Sequence, residues 1–425
     1  MALSAGKIAL VIFEKTLEAF EAEPQLLPRV NFWEPNARDV QNASNVIWRP
    51  VQQHKARVSG WDVSAAKQGV IEETYPAVLG TPYNDPTTLR IDDVRDMNFW
   101  EKSAKEGGRT LARGVNTDIA SAIATQGSLF IRSNATDGYD FIGEAQALMN
   151  ERQAKNTMRT FVLNDRDNLA FASDLAARQT LQGRPEQTWV KGQIGQNIAD
   201  FDIFTGAYLP NITGGADPAV TITGDQSFAP SGGSVDATTL VVTNVDYREA
   251  SLVVNDSSLV SVGDKFTLEN TGVAVQSMAL GDKVATGQPM TFTVISKPDA
   301  THIKVYPKPI AYDDAALSTL EKSYANINTQ ILNAATLTRL NVDATKKANI
   351  FFDQTAVEVL GGSIPAGLLK EFEGMKVIEE TMSNGLKMYM IYSANADTLY
   401  LTYRIFVWYG ITVANPSNCG VAVRY

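Results

Sequence analysis

DDVRDMNFWEKSAKEGGRTLARGVNTDIASAIATQGSL, residues Asp92–Leu129, carries the longest helical pattern in the chain. Trp100, Ala104, Leu111, Val115, Ile119 and Ile123 recur at helical spacing and form one apolar stripe. Lys102, Lys105, Arg109, Arg113 and Asp118 fall mostly off it. Asp92, Asp93 and Asp96 stand at the start, where the helix dipole favours negative charge. Gly127 stands at the end, where a C-terminal glycine belongs. At about 1.5 Å per residue such a helix runs to roughly 45 Å. The pair Gly107-Gly108 interrupts it, and each glycine costs about 1 kcal/mol against alanine in a helix interior. Two readings stand: two helices meeting at a break, or one long helix with a bend point.

The helix belongs to a chain of 425 residues, too long for one ordinary core, so two to four structural units are expected. With 44% hydrophobic and 20% charged residues the composition is that of a globular protein. The formal net charge of −10 argues against a protein that grips phosphates through a basic face. It suits a surface that lies near DNA without adhering to it. Cys419 is the single cysteine, so no intramolecular disulfide can form and a reducing, cytosolic folding environment is expected. Ile8–Phe13 is apolar but short and is followed by Glu14, Lys15 and Glu18, which does not read as a signal peptide. No run approaches the roughly 20 apolar residues of a membrane span.

Upstream of the helix, residues 1–37 open with an amphipathic helical pattern. Ile8, Val11, Leu17 and Phe20 are apolar, while Glu14, Glu18 and Glu21 form an acidic set. That face is either solvated or a docking strip for a basic partner. Residues 44–84 alternate in short runs and read as a long hairpin or extended loop. It carries Arg49, His54, Lys55, Arg57 and Lys67, with Glu72 and Glu73 on its return. A projecting loop with charges of both signs is poor core and good interface material.

Downstream, Gly143–Gln153 is helix-like, Thr160–Leu163 strand-like, and Asn164-Asp165 reads as a turn or helix cap leading into a helix over Asn168–Leu181. Gly183, Gly192 and Gly195 mark a loop-rich stretch. From Ala219 to Tyr306 the texture turns to period-2 strands: Ala219–Thr223, Leu240–Val245, Lys265–Leu268, Met290–Ile295 and His302–Tyr306. Gly263-Asp264 is a turn. Such spacing predicts a small β-barrel or sandwich inserted into a mixed domain. A helix is expected over Leu317–Asn328, a strand at Asn349–Phe352, and a helix at Gln354–Leu360. Lys387–Tyr392 and Leu399–Val413 read as buried strands, and Glu371, Glu373, Glu379 and Glu380 as scattered acids.

The catalytic inventory is thin. His54 and His302 are the two histidines and read as solvated. One cysteine and two histidines give no zinc spacing, and there is no Walker-type loop and no GxSxG elbow. No cofactor and no enzymatic activity are expected.

The chain resembles the P22-like coat protein family, the HK97-like major capsid fold with an inserted domain. The carrying strings are MALSAGKI (Met1–Ile8), SNVIWRPV (Ser44–Val51), GWDVS (Gly60–Ser64) and RIDDVRD (Arg90–Asp96), then GSLFI (Gly127–Ile131) and QSFAP (Gln226–Pro230). GDKF (Gly263–Phe266), PKPIAYDD (Pro307–Asp314), YANINT (Tyr324–Thr329) and VWYGI (Val407–Ile411) follow, collinear along the whole length.

That resemblance implies an α+β fold in six parts: an N-arm (1–43), an E-loop (44–84), a P-domain with the spine helix (85–138), the first part of an A-domain (139–215), an inserted β-barrel I-domain (216–343), and the return through A- and P-domain (344–425). It implies a capsid subunit of a tailed, double-stranded DNA phage, forming hexamers and pentamers of a closed shell. Assembly in the host bacterial cytoplasm around a scaffolding protein, with a portal protein, is implied too, as is expansion when DNA is packaged. DNA would be enclosed without specific binding, and no membrane partner is implied. Glu14 and Glu18 match the family's scaffold-binding acids, with Lys15 standing where the family has an acid. Arg49, Lys55, Arg57, Lys67, Glu72 and Glu73 lie in the E-loop that covers a neighbouring subunit. The family's charged D-loop matches Ser231–Val245, which holds only Asp236, with Asp246 and Arg248 just beyond as substitutes. Gly107 and Gly108 become candidate hinge residues of the spine. The alternative reading is a ligand- or glycan-binding β-domain protein.

Overall fold

The computed structural model describes residues 5–23, 26–35, 45–51, 54–55, 59–62, 71–90, 97–133, 138–177, 193–230, 234–235, 238–239, 242–341, 345–364, 376–395 and 400–424. Asp92, Asp93, Asp96, Arg57, Lys67, Asp236, Gly183, Gly192, Glu371 and Glu373 lie outside the described residues. The chain divides into two units: Met1–Ile47, Ala77–Ile119 and Glu358–Thr412 form the first, and Trp48–Pro76, Ala120–Val357 and Val413–Tyr425 the second.

The long helix is one continuous element, Met97–Gln126, uninterrupted at Gly107-Gly108. Its stripe is buried as the spacing requires: Trp100, Ala104, Leu111, Val115, Ile119 and Ile123 are all at most 7% exposed. Burying one such aliphatic or aromatic side chain contributes about 1.5–3 kcal/mol.

In the first unit an N-terminal helix, Ala5–Ala22, buries Ile8, Ile12, Phe13 and Phe20. It packs on the strands Lys387–Asn395 and Tyr400–Val407. Those strands are the centre of a four-stranded antiparallel sheet whose edges are Lys376–Thr381 and Tyr83–Arg90. A second, small sheet sets Asn31–Trp33 parallel to Val357–Gly361, which also borders Tyr409–Val413.

The second unit is built on a mixed six-stranded sheet. Its order is Leu129–Ser133, Cys419–Arg424, Asn349–Asp353, Arg159–Leu163, Phe201–Thr205, Gln193–Ile198. Phe141, Phe161, Phe201 and Phe351 meet at its core, with centroid separations of 5.7 to 6.4 Å. A helix at Tyr139–Glu151 adds Phe141, Ile142, Ala145 and Met149 to that core. Another, Asp165–Ala177, starts at the expected cap: Asn164 Oδ1 accepts from the amides of Arg166 and Asp167, both at 3.0 Å.

The same unit holds the β-rich segment. Ala250–Val253, His302–Tyr306, Phe292–Ser296 and Lys265–Asn270 form consecutive antiparallel pairs. Thr336–Arg339 and Val273–Ala274 also pair with Lys265–Asn270. Ile303 and Val305 point into the core, as alternation requires, but Tyr306 is buried too. Among the described residues no closed barrel of strands is found: residues 220–223 bridge to Val254 and Thr336 and bond through their backbone to 253–255 and 334–337 without forming a strand of their own.

Two expected helices are corrected. Gln354–Leu360 is a short turn, Gln354–Ala356, followed by the fully buried strand Val357–Gly361. Asp353 caps the turn through the amide of Thr355, and the strand's parallel partner at Asn31–Trp33 lies far away in sequence. Leu317–Asn328 keeps one helical turn, Thr319–Lys322, closed by a Ser318–Glu321 capping box. Beyond it Tyr324 and Ala325 join Leu317, Met278 and Ile310 in a small apolar cluster, which draws the chain out of a helix.

Candidate assembly surfaces

On the N-terminal helix Glu14, Glu18 and Glu21 lie on the exposed side, opposite the buried face. The acids are not equivalent. Lys15 Nζ donates to Glu18 Oε2 at 2.7 Å, and the ammonium holds the Glu18 carboxyl below its usual range. Glu21 Oε1 accepts from the amide of Ser383 at 2.8 Å. Lys15 therefore partly neutralises the strip.

Val46–Pro50 and Thr74–Val78 pair as a two-stranded ribbon. Lys55 and Glu72 are exposed, and Arg49 is half-buried. Glu73 is not a surface charge: it is 6% exposed and lines a cleft of about 290 Å³ within the second unit. His54, Lys155, Arg248, Lys308, Tyr324 and Asn418 share that cleft. Burial pushes the Glu73 carboxyl up to about 7, against the pull of Lys308 and Lys283. Burial, with Lys283 and Lys155 nearby, pushes His54 down to about 4. His54 is thus not the solvated residue its loop position suggested; its ring meets Tyr324 edge-on at 5.2 Å.

These shifts act on stability in opposite senses. From about 4.5 to 7 the folded chain keeps a Glu73 proton that the unfolded chain releases, so this term weakens folding as pH rises. From about 4 to 6.5 the unfolded chain holds the His54 proton, so that term weakens folding as pH falls. Glu73→Gln is expected to remove the first slope, on the order of 3 kcal/mol across the window, and leave that of His54. Thermal unfolding of both proteins between pH 5 and pH 8 checks this, and an unchanged slope in the variant contradicts it.

Asp246 and Arg248 are likewise withdrawn from the surface. Arg248, 5% exposed, donates from Nε and Nη2 to the two Asp246 oxygens at 2.9 and 2.8 Å and from Nη1 to the Val413 carbonyl at 2.6 Å. Its guanidinium lies 5.6 Å from the Tyr75 ring centroid and 5.0 Å from that of Tyr306. Both side chains are thus turned into the second unit, away from the exposed position expected of them. Within Ser231–Val245 the described residues form a small hairpin, Ser234–Val235 against Val242–Thr243.

Gly107 and Gly108 sit where other chain comes close. A Cβ on Gly107 would meet the Asp85 carboxylate, and one on Gly108 the Thr16 carbonyl oxygen. The pair thus permits close approach of the strand and of the N-terminal helix. The spacing of apolar residues could not reveal this, because both neighbours are distant in sequence.

Cys419 is buried, and burial pushes its thiol up to about 12. His302, at the start of its strand and partly exposed, is bonded to Asp299 at 2.8 Å. Among the described residues no three His, Cys, Asp or Glu side chains are grouped to hold a metal ion.

The described surface thus includes an exposed acidic side of the N-terminal helix on an α+β frame. The family model described as P22 coat protein, gene protein 5, matches residues 1–424. The chain belongs to the P22 coat protein family and is a major capsid protein of a tailed phage. Among solved structures it is similar to the capsid of the cyanophage P-SCSP1u, at 10% identity and a TM-score of 0.44, covering 94% of this chain and 86% of that one. The head of Helicobacter pylori bacteriophage KHP40 gives 10% identity and a TM-score of 0.41, over 93% of this chain and 88% of that one. A virus-like particle from Pyrococcus furiosus gives 8% and 0.40, over 97% and 98%.

Proposed function

We propose that this coat protein assembles as hexamers and pentamers of an icosahedral procapsid around a scaffolding protein, with a portal protein for DNA entry, and that the shell expands on packaging. The observation that carries this reading is the exposed acidic side of the N-terminal helix, with Glu14 and Glu18 outward and the apolar face buried. A basic scaffold segment is the complement such a strip selects. Because Lys15 pairs with Glu18, Glu14 carries the larger share of the contact. Residues 44–84 serve as the E-loop over a neighbouring subunit through Arg49, Lys55 and Glu72, together with Arg57 and Lys67. Residues 216–343 serve as the inserted domain, with the hairpin near Asp236 as its D-loop. The family's role as a shell component argues for a non-enzymatic protein. The net charge of −10 supports an inner wall along which packed DNA slides.

Reversing Glu14 and Glu18 to lysine is expected to lower scaffold-dependent shell yield about tenfold or more, since like charges facing each other cost several kcal/mol. The circular dichroism spectrum of the subunit should not change, because both side chains are exposed. Normal yield from the double variant contradicts the scaffold contact.

A further inference from the structure

The GDKF string contains a fully buried lysine. Lys265 is 0% exposed, and its ammonium faces backbone and hydroxyl oxygens. Its Nζ donates to the Gly127 carbonyl, to Thr293 Oγ1 at 2.9 Å and to the Thr125 carbonyl at 3.4 Å. Thr293 Oγ1 in turn donates to the Gly127 carbonyl at 2.8 Å. Thr125 and Gly127 are at the C-terminal end of the long helix, where carbonyls lack helical partners and the dipole favours a cation.

The residue before it does a different task. Asp264, 5% exposed, accepts from Arg339 Nη2 at 2.6 Å, Asn341 Nδ2 at 3.0 Å and the Ser261 amide at 2.7 Å. Arg339 and Asn341 then hold the chain that leads into the β-rich segment. Arg339 Nη1 donates to the Ala216 carbonyl at 2.6 Å, the Arg339 amide to Asp217 Oδ1 at 2.8 Å, and Asn341 Nδ2 to the Thr213 carbonyl at 2.8 Å. Asn341 Oδ1 accepts from the Lys265 amide at 2.9 Å, which ties the two halves of the network together.

We infer that Asp264-Lys265 is a clasp at the neck of the β-rich segment. Asp264 gathers the entering chain at 213–217 with the leaving chain at 339–341, and Lys265 with Thr293 fastens that neck to the last turn of the long helix. Order in the final helical turn then depends on the neck being assembled. Burial pushes the Lys265 ammonium down to about 7, opposed by Cys419 and Asp264, so the position is costly unless its acceptors are in place.

Hydrogen exchange of the full chain, read by mass spectrometry, tests the clasp. In Lys265→Met, amides of residues 120–130 are expected to exchange about tenfold faster, the size of one lost charge-assisted bond. Amides of the strands at 376–407 should be unchanged. Thr293→Val, which keeps the lysine, is expected to give a smaller increase confined to the same residues and serves if Lys265→Met does not fold. Asp264→Asn should also speed exchange at 213–217 and 339–341. Unchanged exchange at 120–130 in both Lys265→Met and Thr293→Val, or an equal increase over the whole chain, overturns the clasp.

Discussion

Arg248→Met is expected to cost the subunit about 3–5 kcal/mol, the range for removing one partner of a buried ion pair. The whole guanidinium is used: two bonds reach Asp246, one reaches the Val413 carbonyl, and its faces lie near Tyr75 and Tyr306. Around it Tyr247 donates its hydroxyl to the Ala414 carbonyl and its amide to the Thr74 carbonyl. The root of the loop at Thr74–Pro76, the start of the β-rich sheet and the chain at 413–414 therefore converge on one cation. Methionine fills much of the volume but leaves Asp246 buried without its charge partner. The midpoint of urea unfolding of the monomeric subunit reads the loss. Adding Asp246→Asn should recover part of it, because the stranded charge is then gone. A loss under about 1 kcal/mol would mean that the pair behaves as a surface ion pair and carries little stability.

The two glycines of the long helix are expected to respond in opposite ways. Gly107→Ala should be neutral or stabilising by up to about 1 kcal/mol, the helix-propensity gain. The obstacle to its methyl is the end of the Asp85 side chain, which can rotate away. Gly108→Ala should cost about 1–3 kcal/mol despite the same gain, because its methyl meets the Thr16 carbonyl, which is backbone. The N-terminal helix would have to move as a body, and with it the acidic strip. Equal stability of the two variants by urea unfolding contradicts this assignment. Gly107→Ala also isolates the proposed bending of the spine, since it stiffens the helix without displacing a neighbour. Shells of that variant that expand like the wild type would leave the pair with a packing role alone.

Local periodicity carried much of what could be read beforehand. The stripe from Trp100 to Ile123 lies within one helix, and its spacing needs no partner to be recognised. The turn or cap at Asn164 and the inward-facing Ile303 and Val305 were legible for the same reason. Val357–Gly361 was not, because its apolar residues suit a buried helix equally well and only Asn31–Trp33, far off in sequence, makes it a strand. A single helix through Gly107-Gly108 was one of the two readings open; what local pattern does not announce is why glycine stands there, because Asp85 and Thr16 belong to other elements. Glu73, Asp246 and Arg248 were misplaced because a charge in a loop normally marks solvent. Here each is withdrawn among compensating groups that no local pattern announces. The acidic side of the N-terminal helix was visible, but the Lys15–Glu18 pair that weakens it required the side-chain geometry.

The central claim is that this subunit builds a closed shell with a scaffold. Electron microscopy of the chain produced together with its scaffolding protein tests it most directly. The expected result is uniform closed particles on the order of tens of nanometres across, lost when the scaffold is omitted or when Glu14 and Glu18 are reversed. A strictly monomeric product with the scaffold present would contradict it.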